Sequence, residues 1–169
     1  RVIVPSFDFE GKLNYYVARS IDASESRRYI NAKIPRTEII FNELNIDWSE
    51  EVTLVEGPFD LMKCNDNAAC LLGSSLPESS RLFNKIIANR TPVLLGLDPD
   101  MKSKEQKIAK ALSSYDVPVR VLDLGNYEDV GEMTKLEFEK NRISAKLWSF
   151  DDRLAGLIGS IISSSSIRL

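Results

Sequence analysis

The chain of 169 residues contains no histidine and only two cysteines, Cys64 and Cys70. Without histidine there is no serine–histidine or cysteine–histidine catalysis, and most zinc hydrolases lose their ligands too. Two cysteines cannot close a four-ligand zinc site; they read as small apolar filler in a reducing compartment. Long apolar stretches are also lacking. The longest, such as residues 91–97, is far too short to cross a bilayer, and no basic-then-apolar leader opens the chain, so nothing points to a membrane or to secretion. The first residue is Arg1 rather than Met, as expected of a piece of a longer polypeptide. Acid–base and metal chemistry must therefore come from carboxylates, lysine, tyrosine or a bound cation.

What is present reads as ordinary globular protein, with 43% hydrophobic and 28% charged residues. The net charge of −3 is unevenly spread. Residues 11–36 carry Lys12, Arg19, Arg27, Arg28, Lys33 and Arg36 against Asp22 and Glu25, a local excess of +4, while acids cluster in the centre. A basic flank beside an acidic pocket suits a metal-using polymerase, since phosphates want cations and metals want carboxylates. Chance patchiness of a solvated surface would give the same counts.

The order of elements follows from periodicity. Val2, Val4 and Phe7, then Leu13, Tyr15 and Val17, predict two strands with Glu10-Gly11 in the turn between them. Residues 20–36 read as an exposed basic loop and Ile39 to Leu44 as a short helix ended by Asn45-Ile46-Asp47. Apolar runs at 52–55, 68–72, 92–97 and 117–122 predict strands. Helices are predicted over 59–65, 78–88, 102–113 and 132–140. This alternation implies a mostly parallel sheet flanked by helices, preceded by an N-terminal α+β subdomain. Leu147, Trp148, Phe150, Leu154, Leu157, Ile158 and Ile161 fall at roughly helical spacing, predicting a C-terminal helical extension that packs on the domain or docks a partner. The expected division is 1–50, 51–135 and 136–169.

The acids sit just past predicted strands: Glu56, followed by Gly57 and then Asp60; Asp98 and Asp100; and Asp129. In parallel sheets the working residues gather beyond the carboxyl ends of the strands. Packed acids repel unless cations neutralise them, and Mg2+ or Mn2+ does so through carboxylate and water oxygens. Any one of these acids serves equally well as a helix cap or loop residue; three strand-end clusters together point to a shared pocket.

The strand ending in Glu56-Gly57, with Asp60 after it, and the later strand ending in Asp98-Pro99-Asp100 resemble the toprim domain shared by primases, topoisomerases and some nucleases. Leu71-Leu72-Gly73-Ser74-Ser75-Leu76 is similar to the turn after the second toprim strand. The lead-in narrows the likeness to bacterial-type primases and their phage relatives. Arg1 to Pro5 through Gly11 resembles the hairpin that opens their catalytic core, and Ala18-Arg19 with Arg28-Tyr29-Ile30-Asn31-Ala32-Lys33 resembles their basic segments. About residues 1–135 are covered.

The resemblance implies Glu56, Asp60, Asp98 and Asp100 as catalytic acids. Metal would be held by Glu56, Asp98, Asp100 and Asp129. Arg19, Arg28, Tyr29, Asn31 and Lys33 would contact nucleotide or template. The second acid of the third cluster is replaced by Gly131, with Glu132 beside it. Implied partners are a single-stranded DNA template, ribonucleoside triphosphates and a replicative helicase, fused or separate, with no membrane. The implied location is the cytoplasm, the host's if the chain is phage-encoded. The family's zinc module and helicase-interacting portion are not recognisable, unless the tail from Ala145 begins the latter. A core that binds metal and nucleotide but primes poorly alone is therefore expected. A toprim nuclease, with water as the nucleophile, shares the acids, and a non-catalytic binding module could keep the fold.

Overall fold

The computed structural model describes residues 1–149, and the expected helical positions from Phe150 onward lie outside them. Strand β1 (Val2–Phe7) pairs antiparallel with β2 (Leu13–Arg19), Val4 opposite Val17 and Ser6 opposite Tyr15. Those four side chains form the buried face, while Ile3 and Leu13 on the other face are exposed. The turn is closed by Asp8, whose carboxylate accepts from the Glu10 and Lys12 amides at 3.0 and 2.9 Å. A third strand, β3 (Tyr29–Asn31), adds to β2 inside the segment read from sequence as loop. Three residues with only Ile30 half-buried carry no readable period.

The helix expected over Ile39 to Leu44 does not form. Ile39 is extended (φ −122°, ψ 162°), and Ile39 and Phe41 enter one core while Ile40 enters the other. Neighbouring apolar residues that must reach opposite cores demand extended chain, not helix. The helical content of residues 1–50 is two short 3-10 turns, Arg36–Glu38 and Glu43–Asn45, so this part is a small sheet with turns rather than α+β.

The second sheet has β4 (Val52–Val55) followed by α1 (Pro58–Leu61), β5 (Ala68–Cys70), α2 (Arg81–Asn89), β6 (Val93–Gly96), α3 (Lys102–Ser113), β7 (Val119–Val121), α4 (Lys135–Ser144) and β8 (Lys146–Leu147). Its order is β5-β4-β6-β7-β8, parallel except for β8. Both faces are covered, which is why β4 and β6 are buried throughout. Val52, Leu54, Val93 and Leu95 meet α2 and α3 on one face. Val55, Leu94 and Cys70 meet the first sheet, Met133 and Phe138 on the other.

Caps explain where the predicted boundaries moved. Ser80 accepts from the Phe83 amide, so α2 starts at Arg81. Thr134 and Glu137 form a capping box, so α4 starts at Lys135. Hydrogen bonds from Tyr127 and Thr134 also hold the Glu137 carboxyl down at about 2. The expected helix over 59–65 is only the single turn of α1.

The chain after α4 departs from helix. Leu147 and Lys146 pair antiparallel with Arg120 and Val121, and the Trp148 indole donates to Gln106 at 2.9 Å. Arg120 fastens this edge: its guanidinium meets both Glu51 carboxylate oxygens at 3.2 and 3.1 Å and donates to the carbonyls of Arg142 and Ala145. Both cysteines are free and buried, as their composition implied. Burial, with Asp60 and Glu139 nearby, pushes the Cys64 thiol up to about 12, and burial pushes Cys70 up too. Among the described residues no helix is long and apolar enough to cross a membrane.

Phe138 is fully buried and joins α4 to the core beneath Val130 and Met133. Phe138→Ala should lower the unfolding free energy by about 3–5 kcal/mol, read by chemical denaturation. A loss below about 1 kcal/mol would mean that α4 is not part of the cooperative core.

Candidate active site

Topology creates a crevice at one place. From β4 the chain crosses by α1 to β5 on one side; β6, reached by α2, lies on the other. Helix α1 contributes Phe59 and Leu61 to one core, whereas α2 and α3 build the opposite one. The strand order therefore reverses between β4 and β6, and ligand sites in open α/β sheets lie beyond the carboxyl ends at such a reversal. Val55 pairs with Gly96, so Glu56 stands level with Leu97, and Asp98 is one residue beyond. The carboxyls of Glu56 and Asp98 are in hydrogen-bond contact.

The other acids come in from the sides. Asp100 lies in the 3-10 turn Pro99–Met101, closed by the Met101 amide on the Asp98 carbonyl at 2.8 Å. Asp60 turns back within α1, one oxygen accepting from the Gly57 amide at 3.0 Å, and the Gly131 amide lies near enough to favour its charged form. Asp129 caps the 3-10 turn Val130–Glu132 through the Glu132 amide at 2.9 Å. A Cβ at residue 131 would stand 3.0 Å from a carboxylate oxygen of Asp60 and 3.0 Å from one of Asp129. Glycine at 131 is thus the residue that lets these two acids approach one another. A bulkier residue there would crowd both.

Electrostatics register the convergence. Burial, then the charges of Glu56, Asp129 and Asp100, raises the Asp98 carboxyl to about 6. Asp60 is also raised to about 6, by burial and then by Asp129 and Asp98 against the Gly57 amide. Glu56 is raised by burial, with Asp98 and Lys104 acting against the shift. Among the described residues, no three of these acids stand close enough together to hold a metal ion. Their donor chemistry nevertheless fits a hard divalent cation: all are carboxylates, they share one field, and two of them meet across a hydrogen bond that needs either a proton or a cation.

Beside the acids lies a cleft of about 450 Å³ lined by Arg19, Tyr29 and Asn31 together with Glu56, Asp60 and Asp129. Tyr29 and Arg19 are direct partners across β2 and β3, and Asn31 is two residues on, on the same face. The Arg19 guanidinium lies 4.9 Å from the centre of the Phe59 ring and 5.8 Å from that of Tyr29. Such stacking holds a cation in place without neutralising it. Of the basic residues expected at the site, Arg28 and Lys33 are exposed and do not line this cleft. Three residues were missed by sequence reasoning. Phe59, under Arg19, follows the Glu56-Gly57-Pro58 turn, and aromatic character next to the acids was its signal. Arg36 donates to the Leu72 carbonyl beside Gly73. Lys104, whose charge reaches Glu56, stands in the first turn of α3, just past Asp98 and Asp100.

Raised carboxyls make a prediction about pH. For Asp60 and Asp98 the folded value, about 6, lies above the ordinary 3.8. Their charged forms therefore oppose folding fully above the folded value and cease to do so below the ordinary one. Metal-free protein should melt at a higher temperature at mildly acidic than at neutral pH, and Asp98→Asn should reduce that difference. Magnesium should raise the melting temperature more at neutral pH. Scanning fluorimetry with and without chelator reads all three, and a pH-independent melting temperature would contradict the coupling.

No family model matches the chain, and no curated protein matches it in sequence. Solved structures do match. The Aquifex aeolicus primase, comprising zinc-binding and RNA polymerase domains, superposes with a TM-score of 0.72 at 23% identity, over 88% of this chain and 41% of its own. A DNA primase domain from Pseudomonas aeruginosa gives 0.65 at 20% identity, over 87% and 52%. The primase domains in a bacteriophage T7 assembly with the lagging-strand DNA polymerase, bound to an RNA/DNA hybrid and dTTP, give 0.57 at 17%, over 86% and 78%. The chain thus spans about half or less of the bacterial structures and most of the phage domain. Its fold is that of these primase domains, a mostly parallel sheet with the first, three-stranded sheet packed on one face.

Proposed function

We propose that the chain is the catalytic core of a DNA primase, which makes short RNA primers on single-stranded DNA by nucleotidyl transfer. The observation that carries this reading is the convergence of Glu56, Asp98, Asp60 and Asp129 at one sheet margin, beside a cleft that presents Arg19, Tyr29 and Asn31. The likeness in fold to primase catalytic domains supports it. Residues 1–50 then form the basic primase subdomain, 51–135 the metal-binding catalytic domain and 136–169 an extension.

In this reading a ribonucleotide 3′-hydroxyl attacks the α-phosphorus of an incoming triphosphate. The new O–P bond forms as the bond to the β-phosphate oxygen breaks, and pyrophosphate leaves. Glu56, Asp98, Asp100 and Asp129 would hold Mg2+ or Mn2+, which supplies charge neutralisation for the triphosphate and the leaving group. Glu56, in hydrogen-bond contact with Asp98, is placed to take the hydroxyl proton, while Asp60 supports the pair from α1. Arg19, steadied by Phe59 and Tyr29, holds a phosphate oxygen at the cleft wall, and Asn31 offers an amide to base or sugar. Arg28 and Lys33, exposed outside the cleft, would meet the template backbone farther out. Positioning and charge compensation account for the rate, as in phosphoryl transfer generally.

The partners of this reading are the template strand, ribonucleoside triphosphates and a replicative helicase, in the cytoplasm of a bacterium or of a phage-infected host. The double substitution Asp98→Asn/Asp100→Asn should abolish primer synthesis with the circular dichroism spectrum unchanged. The assay incubates labelled single-stranded DNA with magnesium and ribonucleotides. New RNA supports a primase, shortened DNA a nuclease, and full activity in the double variant would refute the assignment of the acids.

A further inference from the structure

The cleft of Arg19 lies on one side of the acid margin. On the other side a groove runs between the loop after β5 and helix α3, lined by Ser74, Leu76, Pro77, Lys104, Lys107 and Ile108. Its near end lies toward the acids: Lys104 donates to the Ser74 hydroxyl and lies close enough to Glu56 to favour that residue's charged form. Lys107 follows one turn along the same helical stripe. Lys102, by contrast, is committed to the buried Glu105 at 3.0 Å. Neither Lys104 nor Lys107 makes an ion pair among the described residues. Glu78, at the far end, is met by the Tyr115 hydroxyl at 3.2 Å. The floor is apolar and the cations stand on one wall.

We propose that this groove binds the phosphodiester backbone of a nucleic acid strand running past the acid margin, with Lys104 and Lys107 contacting successive phosphates and the Ser74 hydroxyl beside them. The physical need is plain. A strand brought to Glu56, Asp60, Asp98, Asp100 and Asp129 meets repulsion from each of them, and a chain of net charge −3 offers no general attraction. Local cations on this side would hold the strand against that field, as Arg19 would on the other. The apolar floor accepts sugar and base faces without reading sequence. The inference deepens the nucleic-acid reading of the site and rests on it.

The test is binding, not primer synthesis. Anisotropy of a labelled oligothymidylate is followed across a salt series for the native chain, for Lys104→Ala/Lys107→Ala, and for Lys140→Ala, an exposed lysine of α4 outside the groove. The double variant should bind more weakly and lose about 1.4 from the slope of log affinity against log salt, at 0.7 per phosphate contact on a single strand. Lys140→Ala should keep the native slope, and all three proteins should share one melting temperature. An unchanged slope in the double variant, an equal loss in Lys140→Ala, or no binding by the native chain would overturn the proposal. A parallel titration with MgATP separates strand from free nucleotide: weaker MgATP binding with an unchanged oligothymidylate slope would assign the groove to a triphosphate and also overturn it. Native binding with the lysine-dependent slope but without RNA synthesis would sink the polymerase reading and leave the groove standing.

Discussion

The parallel pairing of β4 with β6, Val55 against Gly96, is the constraint on which the site depends. It brings Glu56 and Asp98, 42 residues apart in the chain, within hydrogen-bond contact. It also sits where the crossovers diverge to opposite faces, the place where open α/β sheets leave room for a ligand. A slip of one residue in that ladder would turn every side chain of β6 to the wrong core. The burial of Val93 and Leu95 against the layer of α2 and α3, and of Leu94 against the first sheet, Met133 and Phe138, makes such a slip prohibitive. The geometry of the acids is therefore secured by apolar residues that take no part in chemistry.

Around that fixed pair the remaining groups are held by short backbone devices. Asp60 is tied to the Gly57 amide, Asp129 to the Glu132 amide, and Arg19 is stacked on rings from two different elements. Each carboxylate accepts a backbone proton and keeps lone pairs for something else. Charge of one sign is thereby concentrated where burial makes it costly, a state that a cation relieves. Positive groups stand on both sides of the concentration, Arg19 on one and Lys104 on the other.

Much of this was legible in the sequence. Long apolar runs bounded by glycine, proline and acids marked β4 and β6, and the helix over 102–113 was read with its observed bounds. The strand-end rule then located the acids without any distance. What escaped had weak local signals. β3 is three residues long and lies in a polar stretch. Ile39 to Leu44 reads as helix because its three adjacent apolar residues, Ile39 to Phe41, do not announce that they serve two cores. The strand at Lys146 exists only because β7 needs an edge partner and Arg120 gathers the carbonyls of the α4 end. Arg28 and Lys33 are implied beside Arg19 by the family resemblance alone, and no local signal tells that of the three only Arg19 lines the cleft. Position 131 read as a missing acid; the packing of Asp60 and Asp129 gives that glycine a reason of its own.

The buried thiols carry one consequence for work on the molecule in solution. Cys64 and Cys70 lie in the core beneath the acids, and a thiol held far above its ordinary pKa presents almost no thiolate. Alkylating reagents will therefore spare the native chain and modify both sulfurs only when the core opens. A cysteine engineered on the surface can then be labelled selectively with a dye or crosslinker, without first deleting the native pair. The rate at which the native pair reacts becomes an internal clock for global unfolding.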